Sequence, residues 1–357
     1  MIRGKNPNSS ACGYDVGLQR AMSSTSVFDP AAIWDIPAGA NITPLDRGGY
    51  NNKLFRVDVA GQAPLVMRIY GNHANPKYIQ HEMVVLMHLA QQKLPFAVPA
   101  PVLTRRGEPS ALVGNTNRQL IVLIPLIPGV NPSPLNLEHA EAVGEAVAIL
   151  VNAMRKIDAR GLRLPQPFNQ LGQVHPLIPD PFAAMDCLGS LVPKDHKVRI
   201  NALLDTVIDS AAKIYRALPS QLIHGDLIPG NLLIDQNRIT GVLDFEACAL
   251  NPSVMEVAIA LDTWLWDALG TGKEWERLSH FGVGYTKVRR LSQVEIEAIP
   301  TLVLLRNAHV LMHMVGRFVG NLSPYIDVES WIESTLNIDA WMTLNRRHLV
   351  EAIAGWG

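Results

Sequence analysis

Short runs of alternating apolar and polar residues occupy the first third of the chain. The segments "KLFRVDVAG" (53–61) and "PLVMRIYG" (64–71) have the alternation of two β-strands joined by a tight loop. A second hairpin is indicated by "APVLTRRGEPSALV" followed by "RQLIVLIPLIPG", whereas "PKYIQHEMVVLMHLAQQ" has helical periodicity. The pattern predicts a small antiparallel sheet accompanied by one helix.

After the proline-rich segment "PGVNPSP" the spacing of apolar residues becomes helical. Helices are predicted over 137–157, 194–217, 254–269, 295–318 and 329–353, with a Pro-rich loop over 160–183. A β-rich part followed by a helical part indicates an α+β fold with two lobes. We expect a polar, disordered leader at 1–27, an N-terminal lobe at 28–127, a hinge at 128–134 and a helical lobe at 135–357.

Composition narrows the class of protein. The chain has 357 residues, of which 48% are hydrophobic, enough for a large core. A net charge of −1 offers no basic excess for nucleic acid or an anionic membrane. The longest apolar run, 120–130, contains two prolines and is much shorter than the ~20 residues of a membrane span. Three scattered cysteines fit a reducing compartment, so we expect a soluble, cytoplasmic protein.

Candidate chemistry is concentrated in "LIHGDLIPGNLLID" (222–235), which at first looks like a hairpin with a Pro-Gly turn. Asn231 lies five residues after Asp226, and Asp244 lies thirteen residues after Asn231. A hairpin between the last two would return Asp244 to the side of Asn231. Oxygen ligands of this kind suit Mg²⁺, which takes further ligands from phosphates. Asp226 could accept a proton from an attacking hydroxyl, as phosphoryl transfer requires.

The segments "HGDLIPGN" and "LDFE" resemble the catalytic and metal-binding segments of the aminoglycoside phosphotransferase/choline kinase/homoserine kinase family. The resemblance covers roughly residues 41–270 and implies a bilobal protein-kinase-like fold with ATP bound in the cleft. It further implies that Asp226 is the catalytic residue and that Asn231 and Asp244 hold Mg²⁺.

Further segments extend the resemblance into the N-terminal lobe. "LDRGGYNNKLFRV" is similar to the family's glycine-containing turn, and "LIVLIPLIPG" resembles the hinge that holds adenine. Arg68 stands where the family carries Lys or Arg, and Glu82 stands where a helix supplies the ion-pair partner. The residues that the resemblance places at ATP are Gly48, Gly49, Asn52, Arg68, Glu82, Ile124 and Leu126.

Other residues have supporting or open assignments. His224 is expected to orient the loop through hydrogen bonds rather than to titrate. Glu256 replaces the Asp that anchors the catalytic loop in the family, with one extra methylene. Glu246 is a metal or substrate contact or else an exposed acid. Asp262 and Trp266 would suit a cationic amine; the favoured alternative for their segment is a core helix with exposed ends.

These features predict an ATP- and Mg²⁺-dependent kinase that phosphorylates a hydroxyl of a small molecule. The acceptor indicated is an amino alcohol, as in homoserine kinases; choline, ethanolamine and aminoglycosides remain as alternatives. A catalytically silent pseudokinase is disfavoured because Asp226, Asn231 and Asp244 are all present. A protein-directed kinase is disfavoured by the short segment after Asp244. The oligomeric state stays open.

Overall fold

The computed structural model describes residues 30–45, 52–71, 76–114 and 119–356. The chain divides into two compact units, the first formed by Met1–Ala74 with Val102–Ile124 and the second by Asn75–Pro101 with Pro125–Gly357. The helix predicted beside the small sheet groups with the second unit by its contacts.

The described residues of the first unit form a five-stranded sheet. Its strands are β1 (Asn41–Pro44), β2 (Asn52–Asp58), β3 (Leu65–Tyr70), β4 (Ala111–Val113) and β5 (Gln119–Pro125), in the order β1-β2-β3-β5-β4. The pairs β1–β2, β2–β3 and β4–β5 are antiparallel, which confirms both predicted hairpins. Because successive side chains of a strand point to opposite faces of the sheet, Val57 and Leu123 lie in the core with Trp34. The Trp34 ring nitrogen donates to the carbonyl of Val102 at 3.0 Å.

The second unit is mainly helical. Its helices are α1 (Pro76–Ala90), α2 (Leu137–Met154), α3 (Ala184–Cys187), α4 (Lys194–Ala217), α5 (Val254–Leu265), α6 (Lys273–Thr286), α7 (Gln293–Val319) and α8 (Tyr325–Ala354). Two small antiparallel sheets pair β6 (Ser220–Ile223) with β9 (Ala249–Pro252) and β7 (Leu232–Asp235) with β8 (Arg238–Val242). A sheet unit and a helical unit confirm the predicted α+β fold class.

Helix α7 is a core element of the second unit. It begins at a capping box, in which the Ser292 side chain accepts from the Glu295 N–H and the Glu295 side chain accepts from the Ser292 N–H. Among the described residues it is the one helix long and apolar enough to cross a membrane, and 78% of that apolar window is buried inside the protein. Such burial is typical of the core helix of a folded unit.

Helices α2 and α6 approach each other closely through glycine. A Cβ on Gly144 would lie 2.0 Å from the Phe281 carbonyl oxygen, and one on Gly284 would lie 1.8 Å from the Glu141 carbonyl oxygen. No helix is predicted at α6 from the sequence, and Gly282 and Gly284 each cost a helix about 1 kcal/mol. Close packing outweighs that cost, since no side chain fits between the two backbones.

The β7–β8 hairpin confirms the return of the chain predicted after the catalytic segment. Leu232 pairs with Val242, and the Leu243 N–H donates to the Asn231 carbonyl at 2.8 Å. This last bond brings the backbone before Asp244 against the backbone of Asn231. The hydrogen bonds of the hairpin therefore bring the backbones of the two candidate metal ligands, Asn231 and Asp244, close together.

Candidate active site

The candidate catalytic loop begins where β6 ends, at His224. Gly225 has a φ of +83°, and a Cβ there would lie 2.5 Å from the Ala247 carbonyl oxygen. Both the left-handed backbone and the close approach require glycine. The sequence analysis did not single out Gly225, although its place between His224 and Asp226 is a usable signal.

His224 links the loop to the segment that carries Asp244. The ring is fully buried; its Nδ1 accepts from the Asp226 N–H at 3.2 Å, and its Nε2–H donates to the Leu243 carbonyl at 2.9 Å. These partners fix a neutral imidazole with its proton on Nε2. Burial lowers the pKa of His224 to about 4, although the Leu243 carbonyl opposes the shift. The geometry agrees with an orienting function for His224 rather than with proton transfer.

Asp226 and Asn231 are joined by two hydrogen bonds from one amide. Asn231 Nδ2 donates to the Asp226 carbonyl at 2.9 Å and to the Asp226 carboxylate at 2.8 Å. Burial raises the pKa of Asp226 to about 6; the positive charge of Arg306 opposes the shift, and the carboxylates of Asp244 and Glu246 add to it. The side chain that would act as base is thus held in place and lies within electrostatic range of two further carboxylates.

Oxygen atoms suited to a hard cation remain next to this pair. Within the residues that the structure describes, Asn231 Oδ1 accepts no hydrogen bond. Asp244 follows the β8 strand with a φ of 62°, a strained conformation for a residue other than glycine. An amide oxygen and carboxylates fit Mg²⁺, which takes its other ligands from phosphates and water. The described ranges contain no cluster of three His, Cys, Asp or Glu residues that could hold a metal ion by themselves.

Glu256, on α5, contacts the start of the catalytic loop. Its Oε2 accepts from the N–H of His224 at 2.6 Å and from the N–H of Gly225 at 3.2 Å. Burial raises the pKa of Glu256 to about 7, while these amide bonds oppose the shift. The glutamate side chain therefore reaches the loop backbone and anchors the two residues before Asp226.

The residues that the resemblance assigns to ATP are spread over both units. Gly48 and Gly49 lie outside the described residues. Asn52 begins β2, and Arg68 on β3 is buried with its guanidinium carbon 4.6 Å from the centre of the Tyr70 ring. Contacts of these residues with ATP stay predictions.

Of the other three residues, Ile124 belongs to the first unit, and Glu82 and Leu126 belong to the second. Ile124 is near the end of β5, and Leu126 follows that strand. Glu82 is buried on α1 and lies close enough to Cys248 to contribute to the raised pKa of that thiol. Its predicted pairing with Arg68 stays a prediction, as do the contacts of Ile124 and Leu126 with adenine.

The predicted acceptor residues differ in their surroundings. Glu246 is exposed, and Trp266 is 40% exposed. Asp262 is buried and accepts from Arg306 Nη1 at 2.5 Å and from Asn307 Nδ2 at 2.9 Å. Sequence reasoning missed Arg306 and Asn307, although two adjacent polar residues inside a buried apolar helix are unusual enough to be a signal.

A sheet unit, a helical unit and a loop in which Asp226 is hydrogen-bonded to Asn231 before a hairpin define a phosphotransferase of the protein-kinase-like class. The sequence profile of the phosphotransferase enzyme family (APH) matches residues 41–290, and the chain belongs to this family. It is a small-molecule kinase.

Known proteins resemble the chain over most of its length. Homoserine kinase from Methylorubrum populi is 29% identical over 255 residues, covering 71% of this chain and 73% of that protein. Homoserine kinase from Rhodospirillum rubrum is 27% identical over 257 residues, covering 71% and 74%.

Solved structures share the fold at lower identity. A microcompartment-associated aminopropanol kinase has a TM-score of 0.66 at 19% identity, covering 92% of this chain and 98% of its own. The amicoumacin kinase hAmiN, in complex with AMP-PNP, Ca²⁺ and Ami, has a TM-score of 0.63 at 17% identity, covering 90% and 92%. The protein-kinase-like fold predicted from the sequence is confirmed.

Proposed function

We propose that this kinase moves the γ-phosphate of ATP to the hydroxyl of an amino alcohol, in the manner of a homoserine kinase, with Mg²⁺ as its metal ion. The observation that carries the proposal is the double hydrogen bond from Asn231 to Asp226, which orients a candidate base and leaves an amide oxygen for the metal. Relatives that are homoserine kinases and a structural neighbour that is an aminopropanol kinase support this acceptor class. A cytoplasmic location belongs to the same proposal.

Asp226 takes the proton of the acceptor in this mechanism. The hydroxyl oxygen bonds to the γ-phosphorus, the bond from that phosphorus to the bridging oxygen of ADP breaks, and the hydroxyl proton passes to the carboxylate. With a pKa of about 6, Asp226 is a stronger base than an ordinary aspartate and is still mainly ionised at neutral pH. General base catalysis contributes ~10²–10⁴-fold; the remainder comes from positioning and charge stabilisation.

Asn231 and Asp244 are the residues that would hold Mg²⁺, which would supply neutralisation of charge on the phosphates. The backbone bond from the Leu243 N–H to the Asn231 carbonyl, which keeps the chain before Asp244 next to Asn231, supports this pairing of ligands. The ATP contacts that accompany them are those implied by the family resemblance: Gly48, Gly49, Asn52, Arg68, Glu82, Ile124 and Leu126.

A coupled assay of ADP release tests the proposal. The acceptors are L-homoserine, 3-aminopropan-1-ol, ethanolamine, choline and an aminoglycoside, each with and without Mg²⁺. We expect Mg²⁺-dependent release stimulated by an amino alcohol, and a ~10²–10⁴-fold lower kcat in Asp226→Asn. Calorimetric titration should find that Asp226→Asn still binds ATP.

The panel separates the alternatives. Preference for choline or the aminoglycoside would replace the proposed acceptor class. If no acceptor stimulates ADP release while ATP binding is intact, a silent nucleotide-binding protein would be favoured. Wild-type turnover in Asp226→Asn would remove that residue from the mechanism.

A further inference from the structure

A cavity of about 290 Å³ lies in the helical unit between helices α5, α7 and α8 and the residues after α5. Its lining includes Asp262, Arg306, Asn307 and Trp331. The volume is at the lower limit for pockets that hold organic ligands. It suits a molecule of a few carbons better than a multi-ring sugar.

Arg306 supplies hydrogen-bond donors to this cavity. Its side chain is 7% exposed, and Nη1 donates to the Asp262 carboxylate. In the part of the chain that the structure describes, no acceptor is bonded to Arg306 Nη2 or Nε. The guanidinium also lies over the Trp331 ring, with its carbon 5.9 Å from the ring centre. A buried guanidinium with donors to spare is well suited to a carboxylate, which it can bind with two parallel bonds.

Asn307 lines the same cavity and carries an unused acceptor. The residue is fully buried, and its Nδ2 donates to Asp262 and to the Val303 carbonyl. Its Oδ1 is buried and has no hydrogen-bond partner among the residues that the structure describes. An unsatisfied buried oxygen costs about 1–3 kcal/mol, so a ligand that donates to it removes a penalty. An ammonium group is such a donor, and the adjacent Asp262 carboxylate favours its positive charge.

The formal charges of Asp262 and Arg306 cancel. A pocket built for choline or an aminoglycoside would gain from uncompensated negative charge, because these ligands are cationic. The neutral pair of Asp262 and Arg306, with an unused acceptor on Asn307 and unused donors on Arg306, matches a molecule that carries both an ammonium and a carboxylate. The charge pattern therefore favours a zwitterion.

Arg306 couples the cavity electrostatically to the candidate base. Burial raises the pKa of both Asp226 and Asp262, and the positive charge of Arg306 opposes both shifts. A small acceptor bound by Arg306 would therefore lie within electrostatic range of Asp226.

We propose that Arg306, Asn307 and Asp262 form a subsite for the α-ammonium and α-carboxylate groups of a hydroxylated amino acid, with Arg306 binding the carboxylate. This assignment rests on the proposed function and narrows its acceptor from amino alcohols in general to amino acids. It makes Arg306 the residue that distinguishes homoserine from its decarboxylated analogue.

Three acceptors that differ by one group test the assignment: L-homoserine, 3-aminopropan-1-ol without the carboxylate, and 4-hydroxybutyrate without the ammonium. We expect wild-type kcat/KM to fall ~10²-fold or more when either group is missing. Arg306→Lys keeps the charge that Asp262 needs but loses the planar fork. It should lower kcat/KM for L-homoserine at least ~10-fold and leave that for 3-aminopropan-1-ol within ~2-fold.

Arg277→Lys is the matched control. Arg277 is also buried and donates to an aspartate, Asp267, at 2.5 Å, but it does not line the cavity. We expect it to leave the ranking of the three acceptors unchanged. An equal loss with all acceptors in Arg306→Lys, or no loss with any, would overturn the assignment.

A binding measurement makes the subsite testable apart from turnover. L-2-Aminobutyrate has both charged groups and no hydroxyl, so it cannot be phosphorylated. It should raise the Tm of the wild type and of Arg277→Lys but not of Arg306→Lys, and 1-propylamine should have no effect. Binding without turnover of any acceptor would refute the proposed function and keep the subsite. Absence of L-2-aminobutyrate binding in the wild type would refute the subsite.

Discussion

The amide nitrogen of Asn231 bonds both to the backbone carbonyl and to the carboxylate of Asp226, at 2.9 and 2.8 Å. One side chain therefore orients the candidate base and, through its other atom, is a proposed ligand of the metal. The two assignments can be separated, because they use different atoms of the same amide.

Asn231→Asp separates them by keeping an oxygen ligand while removing the donor to Asp226. Loss of a hydrogen bond to a charged group costs about 1.5–3 kcal/mol, so we expect kcat to fall roughly 10–100-fold. The KM for Mg·ATP should change far less. Steady-state kinetics at saturating Mg²⁺ measure both constants; Asn237→Asp, at an exposed position, is the control. An unchanged kcat would show that the bond to Asp226 has no part in catalysis.

The tight approach at Gly225 predicts a sharp difference between two glycines of one loop. Gly225→Ala combines a φ of +83° with a contact of 2.5 Å to the Ala247 carbonyl. We expect it to reduce the free energy of unfolding by about 1–3 kcal/mol or more and to lower kcat by displacing Asp226. Gly230→Ala has open space around its Cβ and should be tolerated. Urea unfolding of the two variants and of the wild type measures the difference in the free energy of unfolding. Equal values for the two variants would contradict the prediction.

The strained backbone of Asp244 gives a prediction about stability and metal binding together. Asp244→Ala and Asp244→Gly both remove the carboxylate, so both should weaken Mg·ATP binding at least ~10-fold in calorimetric titration. Only glycine relieves the φ of 62°, so the Gly variant should be more stable than the Ala variant by about 1 kcal/mol. Wild-type affinity in either variant would contradict the metal assignment. Equal free energies of unfolding for the Ala and Gly variants would contradict the backbone strain at Asp244.

Buried His224 predicts a loss of stability in acid. Its folded pKa of about 4 is below the unfolded value of 6.5, so its contribution is complete above pH 6.5 and is lost as the pH falls towards 4. The shift corresponds to about 3 kcal/mol over this window. Glu256, with a pKa raised to about 7, has the opposite slope below neutral pH, so the comparison must be made between variants.

The comparison uses His224→Gln in urea unfolding between pH 4.5 and 7. The variant is expected to lose stability less steeply than the wild type as the pH falls, even if it is less stable at pH 7. His88→Gln, at an exposed site on α1, is the control. If the free energy of unfolding had the same pH dependence in the wild type and in His224→Gln, protonation of the His224 ring would carry no cost in stability.

The reacting loop could be predicted from sequence because its geometry is local. Asp226, Asn231 and Asp244 lie within nineteen residues, and the β7–β8 hairpin returns the chain from Asn231 to Leu243, the residue before Asp244. Helix α6 could not be predicted, since its glycines oppose a helix and the compensating contact comes from α2. Arg306 and Asn307 were missed for a similar reason: their partner Asp262 is more than forty residues away, and only the packing of α5 against α7 brings it near.

The candidate catalytic residues and the residues around the Arg306 cavity belong to different secondary structure. Asp226, Asn231 and Asp244 belong to loops held by short β-ladders, whereas the residues around the cavity come mostly from helices. Substitutions on those helices can change the shape and charge of the cavity while the reacting atoms keep their positions. The architecture is therefore evolvable: a lineage can acquire a new acceptor without rebuilding its chemistry.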